Sequence, residues 1–166
     1  MTTAILGLHH NAYRCRDSEE TRAFYEDFLG LPLAHALRIG ETKTGRSTQV
    51  LHTFFQMADG SSLAFFEVPE NPFDFKPQHD FDLHIALHVD TPTMDAMVAK
   101  ARAAGAELRG PVDHGFIRSI YLRDPNGYVV ELTTPIAGAA GGTADPEAAH
   151  AILRDWQSAK PKPVAV

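Results

Sequence analysis

The same histidine position occurs twice in a pattern that this chain repeats. His10 lies 20 residues before Gly30, and His84 lies 21 before Gly105. Toward the far end of each stretch, Ala64 follows Gly60 by four residues and Glu131 follows Gly127 by four. A period of about 70 residues is too long for a solenoid and reads as a duplicated half-domain. Two such halves placed side by side bring equivalent inward positions together, so His10, His84, Ala64 and Glu131 are expected to face one cavity.

Each copy has the same order of local signals. Residues 5–15 read as a strand, and Asp17 then offers an N-cap with Glu20 three residues later. Thr21, Phe24, Tyr25 and Phe28 follow at helical spacing, and Gly30 stands where a left-handed C-cap is needed. Strands are expected at 32–39, 47–57 and 62–68, the last two joined by Asp59-Gly60. The order βαβββ then restarts after a Pro- and Asp-containing connection at 69–80. A strand at 82–90 precedes a helix with Thr91 as cap and Pro92 as first residue; Met94, Met97, Val98 and Ala101 form its apolar stripe, and Gly105 ends it. Strands near 106–109, 115–123 and 128–134 complete the second copy, with Asp124-Pro125-Asn126-Gly127 as the last turn.

The expected fold is therefore α+β, two βαβββ modules at about 5–70 and 81–135 whose curved mixed sheets form one domain over residues 1–136. Residues 137–166 are expected to be a flexible small-residue linker, AGAAGGTA, and a helix opened by Asp145-Pro146 with Ala149, Ile152, Leu153 and Trp156 on one face. The final KPKPVAV is expected to be poorly ordered.

At 166 residues, with 44% apolar and 22% charged, the chain has the size and composition of one globular domain. A formal charge of -6 argues against nucleic acid, and no stretch has the apolar length of a membrane span. The start, MTTAILGLHH, lacks a leader pattern, and the single Cys15 has no intrachain partner for a disulfide. A cytoplasmic location is the expectation.

His10, His84 and Glu131 form a two-histidine, one-carboxylate set, which leaves three positions of an octahedral ion open. Ala64, at the fourth symmetric position, cannot ligate. A carboxylate there would suit Lewis-acid chemistry on zinc or nickel better. The expected metal is therefore Fe(II), with Mn(II), Zn(II), Ni(II) and Co(II) compatible. His9 should point to the opposite face of the strand from His10, and His88 to the same face as His84. Glu67 falls on the face opposite Ala64 and reads as a solvated carboxylate. The phenylalanines at 54, 55, 65, 66, 73, 75 and 81 read mostly as core, whereas Phe116 and Ile117 are better placed to line a pocket.

The strings GLHHNAYRCRD, RAFYEDFLGLPL, LHIALHVD and SIYLRDPNGYVVEL resemble those of the vicinal-oxygen-chelate superfamily, which includes glyoxalase I, extradiol dioxygenases, epimerases and bleomycin-resistance proteins. The resemblance covers about residues 5–135. It implies paired βαβββ modules around a metal held by His10, His84 and Glu131, a small-molecule substrate, and a homodimer. SIYLRDPNGYVVEL is similar to the last motif of extradiol dioxygenases, where a tyrosine ten residues before the glutamate binds a substrate oxygen; Tyr121 holds that place. His114, just before that strand, suits an acid/base role. Ser61, Ser62 and Ala64 stand where many catechol-cleaving members carry a histidine, which argues against catechol itself.

The leading expectation is a metal-dependent dioxygenase acting on a small phenolic or other vicinal-oxygen substrate. A glyoxalase-like lyase or isomerase is the alternative, with Ala64 counting against it. A non-catalytic binding protein like the bleomycin-resistance members is a third reading, against which the three ligand residues speak.

Overall fold

Asp17 sets the direction of the first helix. Its carboxylate accepts from the backbone N–H groups of Glu19 (2.8 Å) and Glu20 (2.9 Å), capping α1, Ser18–Arg22. The helix then widens to π pitch over Ala23–Phe28, where Leu29 N bonds Phe24 O five residues back, and Gly30 turns the chain at φ +85°. Glu67 Oε2 accepts the Ser18 N–H at 2.9 Å, so this carboxylate serves the helix start instead of being solvated. The computed structural model describes residues 5–139 and 145–161.

The first sheet has the order β1-β4-β3-β2, built from β1 (His10–Cys15), β2 (Leu33–Glu41), β3 (Ser47–Gln56) and β4 (Ser62–Glu67). The second repeats it as β5-β8-β7-β6, from β5 (His84–His88), β6 (Leu108–Asp113), β7 (Ile117–Arg123) and β8 (Val129–Pro135). In each, the first and last strands pair in parallel and the other pairs are antiparallel. The identical order is the structural form of the sequence duplication. β1 begins only at His10 and β5 only at His84, so the strands start later than the apolar pattern suggests. Helix α2, Thr91–Ala103, is capped by Asp90, whose Oδ1 accepts the Thr93 N–H at 2.8 Å, one residue earlier than the expected Thr91 cap.

One face of each sheet carries the core. Tyr25 from the first helix packs against Phe55 and Phe65, with ring centroids 5.5 and 4.7 Å away. Met94, Met97, Val98 and Ala101 of α2 belong to the same buried cluster as Leu87, Ile120, Leu122, Val130 and Leu132. Each large side chain sealed there contributes about 1.5–3 kcal/mol of burial, so the helix-covered faces fix the strand register. Of the phenylalanines expected in the core, Phe55 and Phe65 are fully buried, whereas Phe54 and Phe66 are half-buried. Phe73 and Phe81 are exposed. The period of two assigns Phe54 and Phe66 to the helix-free face.

A polar junction joins the modules. Tyr25 Oη donates to Asp124 Oδ2 at 3.1 Å, and Asn126 Nδ2 donates to Thr21 Oγ1 at 3.2 Å. The Arg16 N–H in turn reaches Asn126 Oδ1 at 2.8 Å. The Asp-Pro-Asn-Gly turn is thereby locked to the first module just before the strand that carries Glu131. Helix α3, Pro146–Ala159, presents Ile152, Leu153 and Trp156 to solvent. Residues 140–144 of the expected linker and 162–166 of the tail lie outside the described residues. No described helix is long and apolar enough to cross a membrane.

Candidate functional site

His84 opens β5, and its ring is fixed from behind. Its Nδ1 lies 2.5 Å from the Asp80 carbonyl oxygen, and since a carbonyl only accepts, Nδ1 carries the proton. The Nε2 edge then faces Glu131 Oε2 at 3.2 Å. Glu131, on β8, is buried at 5% exposure. A neutral imidazole lone pair and a carboxylate oxygen repel one another at this distance, so a positive charge belongs between them: a second ring proton or a divalent cation. A backbone carbonyl orienting the non-ligating nitrogen is the usual arrangement around a metal-binding histidine, so the donor set fits an ion.

His10, at the start of β1, is not part of that pair. It is exposed; its Nδ1 is 2.7 Å from His9 Nδ1, and its ring sits 5.4 Å from Phe54 and 6.1 Å from His52. Among the described residues of one chain, no three His, Cys, Asp or Glu side chains converge to hold an ion. Within one chain the expected triad is thus divided into a pair and a single histidine. His9 precedes the strand, so strand alternation does not send it to the opposite face, and it bonds His10 directly. His88 is exposed on the face of His84, two positions further along that face.

Glu131, Tyr121 and Arg109 form a row across three neighbouring strands, each a direct cross-strand partner of the next. The Tyr121 hydroxyl lies 2.9 Å from His114 Nε2, which brings the two expected catalytic side chains together. Burial, and then the nearby Glu131 carboxylate, push the Tyr121 phenol above its ordinary range. The Arg109 guanidinium lies 4.0 Å over the Tyr121 ring and is ion-paired with Asp80. Burial opposes the Asp80 charge, but the Arg109 hydrogen bond overrides it and holds the carboxyl below its usual range. Asp80 therefore orients His84 with its carbonyl and Arg109 with its carboxylate.

Ala64 is fully buried and paired in register between Ala12 and Phe54, with no donor atom to offer. Phe116 is 40% exposed and Ile117 opens β7 beside His114. An open depression of about 550 Å³ runs along Asp80–His84, next to the proposed ligand pair. A second cavity, about 460 Å³, is lined by Arg38, Val50, Leu51, Glu67 and Pro69 and touches none of these side chains, so we assign it no part in the site.

Sequence reasoning missed Asp80, Arg109 and His52. Asp80 acts partly through its backbone, which leaves no side-chain signal. Arg109 becomes visible only once β6 is paired with β7. His52 had a signal: it stands two residues before Phe54 on one strand and so shares its face.

Residues 7–132 match the profile of the Glyoxalase/Bleomycin resistance protein/Dioxygenase superfamily. A probable lactoylglutathione lyase of Vibrio parahaemolyticus is 31% identical over 140 residues, covering 80% of this chain and 93% of that one. A lactoylglutathione lyase of Haemophilus influenzae is 32% identical over 127 residues, covering 74% of this chain and 88% of that protein. Among solved structures, a glyoxalase family protein from Bacillus cereus superposes with a TM-score of 0.66 at 21% identity, covering 81% of this chain and 97% of its own, a likeness of fold. The chain belongs to the Glyoxalase/Bleomycin resistance protein/Dioxygenase superfamily.

Proposed function

We propose that the chain is a metal-dependent enzyme acting as a homodimer, with a divalent cation held by His84 and Glu131 of one copy and His10 of the other. The carrying observation is the His84–Glu131 pair, whose Nε2 and Oε2 atoms face each other at 3.2 Å with the His84 Nδ1 proton given to Asp80 O. A second copy supplies the missing donor: His10, Ala12, His84 and Ala86 are all exposed on β1 and β5, and both strands lie at sheet edges. A metal held there would supply Lewis acidity toward the oxygens of a small substrate.

The activity we propose is that of a glyoxalase-like lyase or isomerase, which moves a proton on such a substrate. Support comes from the two lactoylglutathione lyases that share about a third of their aligned residues with this chain. Tyr121 donates its hydroxyl proton to a substrate oxygen as charge grows there, and His114, 2.9 Å away, exchanges that proton. Arg109, 4.0 Å over the Tyr121 ring, keeps the phenol in place.

A dioxygenase remains the second reading, and Ala64 favours it: without a fourth ligand, three protein donors leave room for both a substrate and dioxygen. One experiment separates the two. Protein loaded with Zn(II), Ni(II) or Co(II) and given a hemithioacetal is expected to isomerise it without oxygen uptake. Protein loaded with Fe(II) that instead consumes oxygen with a hydroquinone supports the dioxygenase and overturns the lyase.

A further inference from the structure

His52 is a buried polar side chain with half of its hydrogen-bonding capacity unspent. It is 7% exposed, in the middle of β3. Its ring is stacked on Phe66 at 3.6 Å between centroids and 9° between planes, and tilted against Phe54 at 4.2 Å. Nδ1 lies 3.0 Å from the Phe65 carbonyl oxygen, which can only accept, so the proton is on Nδ1. In the neutral ring Nε2 is then an acceptor with no protein partner among the described residues. Among the described residues, the buried side-chain atoms sealed off without a partner are Asn11 Nδ2, Arg14 Nε and Thr53 Oγ1, and His52 Nε2 is not one of them, so it retains an accessible edge.

His52 shares the sheet face of His10, whose ring is 6.1 Å away and also packs against Phe54. Leu37, the direct cross-strand partner of His52, is 53% exposed and extends the apolar surface. An unpaired acceptor among flat rings is costly to leave dry, and it is satisfied by a planar molecule that brings an O–H or N–H.

We propose that His52 is a specificity-determining residue: its Nε2 accepts a hydrogen bond from a hydroxyl on an aromatic substrate whose ring lies against Phe54 and Phe66. The substrate class is thus an aromatic compound that carries a hydroxyl: an aromatic hemithioacetal on the lyase reading, a hydroquinone on the dioxygenase reading. This rests on the reading that the face of His10 is a substrate face. A site built around such a bond rejects the analogue that lacks the donor, because the acceptor is then buried unpaired.

The test uses full-length, chelator-treated protein at pH 8, so it does not depend on metal or turnover. 4-Methylphenol and its methyl ether are titrated by chemical shift, with the imidazole nitrogens labelled. The phenol is expected to bind roughly five- to tenfold more tightly than the ether and to shift the His52 Nε2 resonance, which the ether leaves in place. His52→Phe is expected to abolish the preference while keeping the affinity for the ether, and His52→Gln to restore part of it. Equal binding of the two probes by the wild type, no binding of either, or an unchanged preference in His52→Phe overturns the proposal. If His52→Phe does not fold, the wild-type Nε2 shift and His52→Gln still decide. Metal titration of the same preparation reports separately on His10, His84 and Glu131, so loss of one reading is distinguishable from loss of the other.

Discussion

The Tyr25 hydroxyl of the first module donates to the buried Asp124 carboxylate of the second at 3.1 Å, across 99 residues of sequence. Asp124 also accepts from the backbone N–H of Asn126 and Tyr128, so one carboxylate organises the turn and ties it to the helix opposite. Tyr25→Phe is expected to lower unfolding stability by about 1–2 kcal/mol without changing the fold, as read by urea titration. No loss would show that the junction adds nothing beyond packing.

Gly127 is the tightest point of that turn. It has φ +96°, and a Cβ there would lie 2.3 Å from Lys76 O, a backbone atom that cannot swing away. Gly127→Ala is expected to cost roughly 2 kcal/mol or more. Because β8 follows this turn, metal affinity should weaken as well, and calorimetric titration of the folded variant checks this.

Asp90 is one of the carboxylates that tie stability to pH on the acid side. Hydrogen bonds from Thr93 hold its carboxyl below the ordinary 3.8. The folded state thus binds this proton less tightly than the unfolded one. The contribution is complete above 3.8 and is lost as pH falls through the lowered value. Asp90→Asn keeps a cap but cannot titrate, so its melting temperature should fall less steeply below that pH than the wild type's. Parallel curves for the two proteins would rule this out.

Tyr121 and His114 act, in this account, on substrate and not on the metal. Tyr121→Phe is expected to reduce kcat about a hundredfold while metal content stays at the wild-type level. Joint loss of metal and activity would instead assign Tyr121 to holding the site together.

The duplication, the eight strands and the pairing of Tyr121 with the Glu131 strand were legible because alternation, glycine turns and equal offsets each leave marks in sequence. Element starts were less so. Asp90 caps where Thr91 was expected, since both residue types cap helices and only the backbone angle at Asp90 decides between them. The placement of His10 could not be read at all. Symmetry between modules says which positions are equivalent, but not whether the equivalent faces meet inside one chain. In this chain the helix sides and the Asp124 turn make the junction, which leaves His10 apart from His84 and Glu131. His52 leaves a partial mark, its place two residues before Phe54, but a histidine within a run of strand residues reads as core until its neighbours across the sheet are known.

The sharing of one metal between two copies is tested most directly by mixing two damaged chains. His10→Ala and Glu131→Ala are each expected to bind no ion at the site. Unfolded together and refolded as a mixture, they should form hybrids in which one of the two sites regains His84 and Glu131 from one chain and His10 from the other. Metal analysis should then find about one ion per four chains. A mixture that binds no more metal than the separate variants, beside a wild type that binds one ion per chain, would contradict the account.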